Sequence, residues 1–138
     1  ESLQDGWLHC PNFCGATIEL GLGHGHGGFY LPSVRRMAKH FAGFGLRLPL
    51  LRNGKIEKGV AQAQIGHGGK GIDHALLWYT KDSNPDPSER KWQSVTATVK
   101  GTTVSAPVPS GTALCYLTAY EKRDRDPDLA GSTLFLKP

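Results

Sequence analysis

The sequence predicts a mainly β protein, an antiparallel β-sandwich (residues 54–138) preceded by a strand, a histidine-containing loop and a helix (residues 1–53). From about residue 54, apolar and polar residues alternate, which is the period of a half-buried strand. Turn-forming residues interrupt the alternation every ~8–12 residues with no helical pattern between them, which is typical of a sandwich. Residues 1–53 are instead rich in glycine and histidine. We therefore expect two separate units.

The length and the composition exclude several classes of protein. With 138 residues, the chain is too short for a complete α/β hydrolase or TIM barrel, which need roughly 200 residues or more. It has no apolar run near the ~18 residues of a transmembrane helix, so no membrane association is expected. Residues 1–5 lack the basic and apolar regions of a signal peptide, which favours an internal or processed start.

The net charge of +4 comes from the first half of the chain. Residues 1–70 contain eight Lys and Arg against four Asp and Glu, whereas residues 71–138 contain eight of each kind. The cations are scattered, and no aromatic-basic nucleic-acid motif accompanies them. The pattern favours a solvated basic face and no nucleic-acid partner.

The first predicted element is a strand at residues 16–20, where apolar and polar residues alternate up to Gly21. A glycine-rich loop follows at residues 21–28. One helix is predicted next, capped by Ser33 and stopped by Gly43. Its apolar residues recur with helical period and are Val34, Met37, Ala38 and Phe41.

This apolar stripe predicts a helix face that packs in a core. Within residues 1–50 alone, however, the stripe would stay uncovered and the strand would have unpaired edges. We therefore expect residues 1–50 to be the less ordered or partner-dependent part of the chain.

Six strands are predicted in the sandwich, at residues 59–65, 72–79, 92–100, 102–106, 113–120 and 133–136. The turns between them are predicted at residues 66–69, 83–87, 108–111 and 124–128. Trp78 or Trp92 is expected to fill the core, and His74 is expected to point away from Ala75, its inward-facing neighbour. The pattern Pro109-x-x-Thr112-x-x-x-Tyr116 resembles the entry to a late strand in fibronectin type III sandwiches, which makes Tyr116 a candidate corner tyrosine.

His24 and His26 are the candidates for chemistry, and four interpretations are open. The loop matches GxGxxG at residues 23–28, but a dinucleotide site needs a βαβ unit and a later acid, which the sequence does not provide. The two histidines could share a metal ion, although no third ligand has a supporting spacing. One of them could act as a general base toward a nucleophile located elsewhere. The fourth interpretation is a loop without a function.

The three cysteines do not decide the redox compartment. Cys10 and Cys14 are separated by three residues, one more than in a redox CxxC pair, so a local disulfide and two unrelated thiols are both open. With Cys115, the number of cysteines in the chain is odd.

Residues 16–138 resemble the C-terminal part of bacterial secreted α/β hydrolases related to acetylxylan esterases and prolyl-oligopeptidase-type hydrolases. The resemblance is carried by the loop at residues 21–26, the helix at 32–41, and residues 75–80, 90–92, 106–109 and 113–120. It implies that residues 1–53 are the strand, histidine loop and helix of an incomplete α/β-hydrolase core. Residues 54–138 would then be an appended immunoglobulin/fibronectin-III-like sandwich.

The same resemblance implies a function. His24 would be the catalytic histidine, with His26 as the runner-up, and the nucleophile, the triad acid and the oxyanion hole would lie in the part of the protein before Glu1. The whole protein would be a serine hydrolase, either a carboxylic or carbohydrate esterase or a peptidase, with a carbohydrate ester as one candidate substrate. The N-terminal catalytic portion would be the partner of this chain, and the chain alone would be inactive. The resemblance implies no cofactor and a secreted or periplasmic location.

Two other functions remain open. The sandwich could be a non-catalytic module that binds carbohydrate or protein through exposed aromatic residues, for which the candidates are Tyr79, Trp92 and Tyr120. Core packing is the competing interpretation of each ring. The second alternative is the metal site at His24 and His26.

Overall fold

The computed structural model describes residues 18, 34–35, 38, 40–44, 49–66, 71–86, 89–123, 126–133 and 135–138. Val34, Arg35 and Ala38 have helical conformation, and a π-helical turn follows at His40–Phe44. Gly43 in this turn has a φ of 90°, a backbone conformation that residues other than glycine rarely adopt. This agrees with the prediction that the helix ends at Gly43.

Seven strands follow, and they form one antiparallel sheet in the order β1-β2-β5-β4-β3-β6-β7. Their bounds are β1 Leu51–Glu57, β2 Val60–Ile65, β3 His74–Thr80, β4 Gln93–Lys100, β5 Thr103–Pro107, β6 Leu114–Arg123 and β7 Asp126–Ser132. The protein is therefore mainly β, as predicted. Five of the six predicted strands correspond to β2 through β6, with ends that differ by up to three residues.

The sheet folds over on itself at β4. Residues 93–97 of this strand pair with β3, whereas residues 98–100 pair with β5. β6 also contacts β1, β2 and β5, none of which is its hydrogen-bonded neighbour. The sheet thus packs its β1-β2-β5 part against its β3-β6-β7 part, an arrangement consistent with a β-sandwich or a barrel.

The hydrophobic core lies between these two parts. Alternate residues of β3 and β6 face inward, and their pairing places Leu77 opposite Leu117, both fully buried. The buried residues of this core are Leu51, Ala61, Ala63, Ala75, Leu77, Tyr79, Ala97, Val104, Ala106, Cys115, Leu117 and Ala119. Many are alanines, so the two layers can approach each other closely.

A two-residue turn joins β1 and β2. Glu57 pairs with Val60, and the residues between them, Lys58 and Gly59, have φ angles of 49° and 76°. Two positive φ angles define a type I′ turn, whose twist matches that of the flanking strands. In β1 the Lys55 ammonium donates a 2.8 Å hydrogen bond to Glu57 and, by that bond and its charge, lowers the pKa of the carboxyl group.

The sequence did not predict β1. Asn53-Gly54 is a dipeptide typical of a turn, and the first strand predicted in the sandwich begins only at residue 59. In the structure, Asn53 has a φ of 53° and lies where the pairing of β1 with β2 shifts between Arg52 and Lys55. The dipeptide therefore forms a bulge inside a strand, which uses the same left-handed conformation as a turn.

The last strand was predicted too late in the chain. A turn was expected at residues 124–128 and a strand at 133–136, but β6 extends to Arg123 and β7 begins at Asp126. The charged residues Arg123, Asp126 and Asp128 therefore lie in the two strands of a longer β6–β7 hairpin. Residue 136 forms only an isolated bridge to Cys115.

The helical stripe is also placed differently from the prediction. Ala38 is exposed and Phe41 is 81% exposed, whereas Val34 is half-buried. A core-facing stripe is therefore wrong for Ala38 and Phe41. Met37 lies outside the described residues.

Candidate functional site

His24 and His26 lie outside the described residues, and so do Cys10 and Cys14. The structure therefore gives no geometry for the predicted catalytic histidine, for the alternative metal pair or for a disulfide between these cysteines. Among the residues that the structure does describe, no group of three His, Cys, Asp or Glu side chains could hold a metal ion.

The described part of the chain contains one cluster of aromatic and titratable side chains that is accessible to solvent. It lies on the outer face of the β3-β6-β7 part of the sheet and consists of Asp73, His74, Trp78 and Tyr120. His74 and Trp78 point outward because the residues that alternate with them, Ala75 and Leu77, face the core. The expected outward orientation of His74 is confirmed.

The register between β3 and β6 brings His74 and Tyr120 together. The two residues are direct cross-strand partners, and the backbone N–H of Asp73 donates a 2.8 Å hydrogen bond to the carbonyl of Tyr120. Their rings stack with centroids 4.5 Å apart and planes 9° apart. Trp78 Nε1 donates a 3.3 Å hydrogen bond to the hydroxyl of Tyr120.

The fourth member fixes the orientation of the imidazole. Nδ1 of His74 lies 2.9 Å from Oδ2 of Asp73, and a carboxylate only accepts, so Nδ1 carries the proton in this pair. Both side chains are well exposed, by 38% for His74 and 51% for Asp73. The described contacts bring no serine or cysteine to this imidazole. The cluster therefore places stacked rings and polar atoms at the surface of the sheet.

Two of the aromatic residues considered for ligand binding are structural. Tyr79 is buried in the core and its hydroxyl donates a 2.7 Å hydrogen bond to Gln93. Trp92 packs edge-on against Tyr116 at 5.5 Å and stacks on Phe135 at 6.0 Å. Only Tyr120, the third candidate, contributes to the accessible cluster. The sequence contained no signal for Trp78 as a binding residue, because its partner depends on the register of β3 and β6.

No known protein provides an independent identification. No family model matches the sequence, and neither a curated protein nor a solved structure shows a significant similarity. None of the helices in the described part of the chain is long and apolar enough to span a membrane.

Proposed function

We propose that the chain is the C-terminal portion of a serine hydrolase, which is a carboxylic or carbohydrate esterase or a peptidase. Residues 1–53 supply the triad histidine, His24, and residues 54–138 form an appended immunoglobulin-like module. The resemblance of the histidine loop and the following helix to secreted α/β hydrolases is the basis of this proposal.

The strand order supports the appended module. One part of the folded sheet has the order β1-β2-β5-β4, and the other contains β3, β6 and β7. When the seven strands are lettered A to G in chain order, β1-β2-β5-β4 has the order ABED and β3-β6-β7 has the order CFG. These are the two sheets of a seven-stranded immunoglobulin-type sandwich. β4 takes part in both halves of the fold.

The order of the elements around the histidine loop carries the hydrolase assignment. A predicted strand at residues 16–20, the glycine- and histidine-rich loop at 21–28 and a helix that begins near Ser33 follow one another in the sequence. Val34, Arg35 and Ala38 are helical, in agreement with the third of these elements. In the hydrolases that the sequence resembles, the same order delivers the catalytic histidine.

In the proposed reaction, the imidazole of His24 accepts the hydroxyl proton of a serine as that serine attacks the ester carbonyl. It returns the proton to the oxygen of the leaving alcohol, and an acyl-serine remains. Water then attacks the acyl group with the same imidazole as base, the bond between the acyl carbon and the serine oxygen breaks, and the imidazole returns the proton to that oxygen as the carboxylic acid leaves. The serine, the acid and the oxyanion donors belong to the preceding part of the protein in this proposal.

The test is to express the chain together with the coding sequence that precedes Glu1 and to assay hydrolysis of p-nitrophenyl acetate. We expect His24→Ala to lower kcat/KM on the order of 10³-fold, since general-base catalysis is lost. His74→Ala is the matched control and should leave the rate unchanged. Full activity in both His24→Ala and His26→Ala would refute the proposal, and residues 1–138 alone should be inactive.

A second candidate is a non-catalytic binding module, which the cluster of His74, Tyr120 and Trp78 favours. Aromatic rings at a half-exposed surface can stack on sugars. Affinity electrophoresis of residues 1–138 against a panel of polysaccharides tests it. Retardation that Tyr120→Ala abolishes and the exposed-surface control Thr96→Ala retains would support the module, whereas no retardation on any polysaccharide would refute it.

A further inference from the structure

The face of β6 and β7 opposite the core is buried where a two-layer sandwich should be exposed to water. Leu117 and Ala119 of β6 belong to the core, so Thr118 between them points to the other face. Even so, Thr118 is only 1% exposed, and Ser132, its partner on β7, is also 1% exposed. A further layer of protein therefore covers the sheet at this point.

The two buried hydroxyl groups contact each other, and one of them accepts a hydrogen bond from the backbone of a distant residue. Thr118 Oγ1 and Ser132 Oγ lie 3.0 Å apart. The N–H of Ile18 donates a 3.2 Å hydrogen bond to Ser132 Oγ across 114 residues of sequence. A buried polar group without a hydrogen-bond partner costs free energy. The two hydroxyl groups bond to each other, and Ser132 Oγ also accepts the hydrogen bond of the Ile18 N–H.

The neighbouring residue on β7 faces the other side of the sheet. Gly131 pairs with Ala119, a core residue, so this position faces the interior of the sandwich. A Cβ atom at Gly131 would overlap the carbonyl oxygen of Pro49, which is fully buried immediately before β1. Pro49 therefore packs inside the sandwich, whereas Ile18 contacts its outer face.

We propose that Thr118 and Ser132 form an intrachain docking surface that fixes the chain at Ile18 to the outer face of β6 and β7. Its occupant is that segment of the same chain, whose backbone N–H at Ile18 bonds to Ser132. The surface is therefore not available to a ligand. Where the proposed function also holds, docking at Ile18 restrains the chain six residues before His24.

Amide hydrogen exchange of residues 1–138, resolved by residue with NMR, tests the docking without reference to activity. Ser132→Ala removes the acceptor of the Ile18 amide, and we expect that amide to exchange about fivefold faster, as the loss of one net hydrogen bond implies. The amide of Leu77, in the centre of the sheet, should keep its rate. Ser94→Ala, an exposed serine substitution on β4, is the matched control and should change neither amide.

Gly131→Ala is a second control, because it acts on the opposite face of the same strand. It should displace Pro49 inside the sandwich and with it the carbonyl of Leu50, which accepts a 2.8 Å hydrogen bond from the Gly66 amide. We expect the Gly66 amide to exchange faster in this variant, and the Ile18 amide to respond less than it does in Ser132→Ala.

The proposal is overturned if Ser132→Ala leaves the exchange of Ile18 unchanged, or if it accelerates Ile18 and Leu77 by the same factor. The second result would mean that Ser132 acts through the stability of the whole fold. Acceleration of Ile18 in Gly131→Ala equal to that in Ser132→Ala would also overturn the proposal, because Gly131 lies on the opposite face of β7. None of these results depends on hydrolase activity, so each is separate from the test of His24.

Discussion

Cys115 shows how a single position in β6 is constrained by its surroundings. Its side chain is fully buried in the core, and its backbone N–H and carbonyl both bond to Leu136 at 3.0 and 2.7 Å. Burial disfavours the thiolate and raises the pKa of the thiol from 9.0 to about 11. Although a free thiol is present, its reactive form is therefore suppressed in the folded protein.

We expect Cys115 to be unreactive toward iodoacetamide at pH 8 in the native protein and to react fully in urea. The raised pKa also makes stability depend on pH, because the folded state retains the thiol proton more strongly than the unfolded state. This contribution is complete below pH 9 and is lost as the pH rises toward about 11. Urea titrations at several pH values should show a smaller alkaline loss of stability in Cys115→Ala. Rapid native labelling at pH 8 would contradict the assignment.

At the scale of single elements, the hairpin of β1 and β2 uses a residue that its turn does not favour. Lys58 has a φ of 49°, and a left-handed conformation costs a residue with a long side chain roughly 1–2 kcal/mol. Asparagine tolerates this conformation better and is the preferred first residue of a type I′ turn before glycine.

Lys58→Asn is therefore expected to raise the free energy of unfolding by about 0.5–1 kcal/mol. The urea midpoint of residues 1–138 measures it. Lys91→Asn, an exposed loop substitution at a residue with negative φ, is the matched control and should not stabilise the protein. A lower midpoint for Lys58→Asn would show that the turn has another geometry.

β3 is the central strand of the core and should be the most sensitive to truncation. Leu77→Ala leaves a cavity at a fully buried position and should lower the free energy of unfolding by about 2–5 kcal/mol. Val60→Ala, at a position that is 38% exposed on β2, should cost much less in the same urea titration. Equal effects of both substitutions would contradict the assignment of Leu77 to the core.

The sequence was informative where a pattern is local. The alternation that places Ala75 and Leu77 inward and His74 outward is visible in seven residues of β3, so that strand and the orientation of these residues were predicted. The expectation that Trp78 could fill the core was wrong, because Trp78 shares the outer face with His74. Asn53-Gly54 carries a local signal too, but a bulge and a turn share the same backbone conformation, and only the pairing with β2 distinguishes them.

Contacts between distant residues could not be predicted in this way. The hydrogen bond of Trp78 with Tyr120 depends on the register of two strands that are 42 residues apart. That of Ile18 with Ser132 depends on the docking of a segment against the completed sheet. The sequence therefore did not predict the cluster of Asp73, His74, Trp78 and Tyr120, although Tyr120 itself was a candidate.

On the scale of the whole molecule, the sandwich and the preceding part of the chain share a buried surface. A protein that begins at Pro49 would lose the hydrogen bond of Ile18 and uncover Thr118 and Ser132. We expect it to keep its β content by circular dichroism but to be less stable, on the order of 2 kcal/mol, in urea titrations. Deletion of the exposed Lys137 and Pro138 is the control. Equal stability of the truncated and full chains would show that residues 1–48 contribute nothing to the sandwich.

The two ends of the strand order, β1 and β7, also bear on how copies of this protein meet each other. An open sheet edge can recruit a strand from another molecule and start a growing aggregate. At β1 the bulge at Asn53 interrupts the regular spacing of donors and acceptors, and Lys55 and Glu57 place charges beside it. At β7 Pro127 has no N–H to offer and stands between two aspartates. Both edges therefore resist the addition of an eighth strand, so concentrated protein should not polymerise through this sheet.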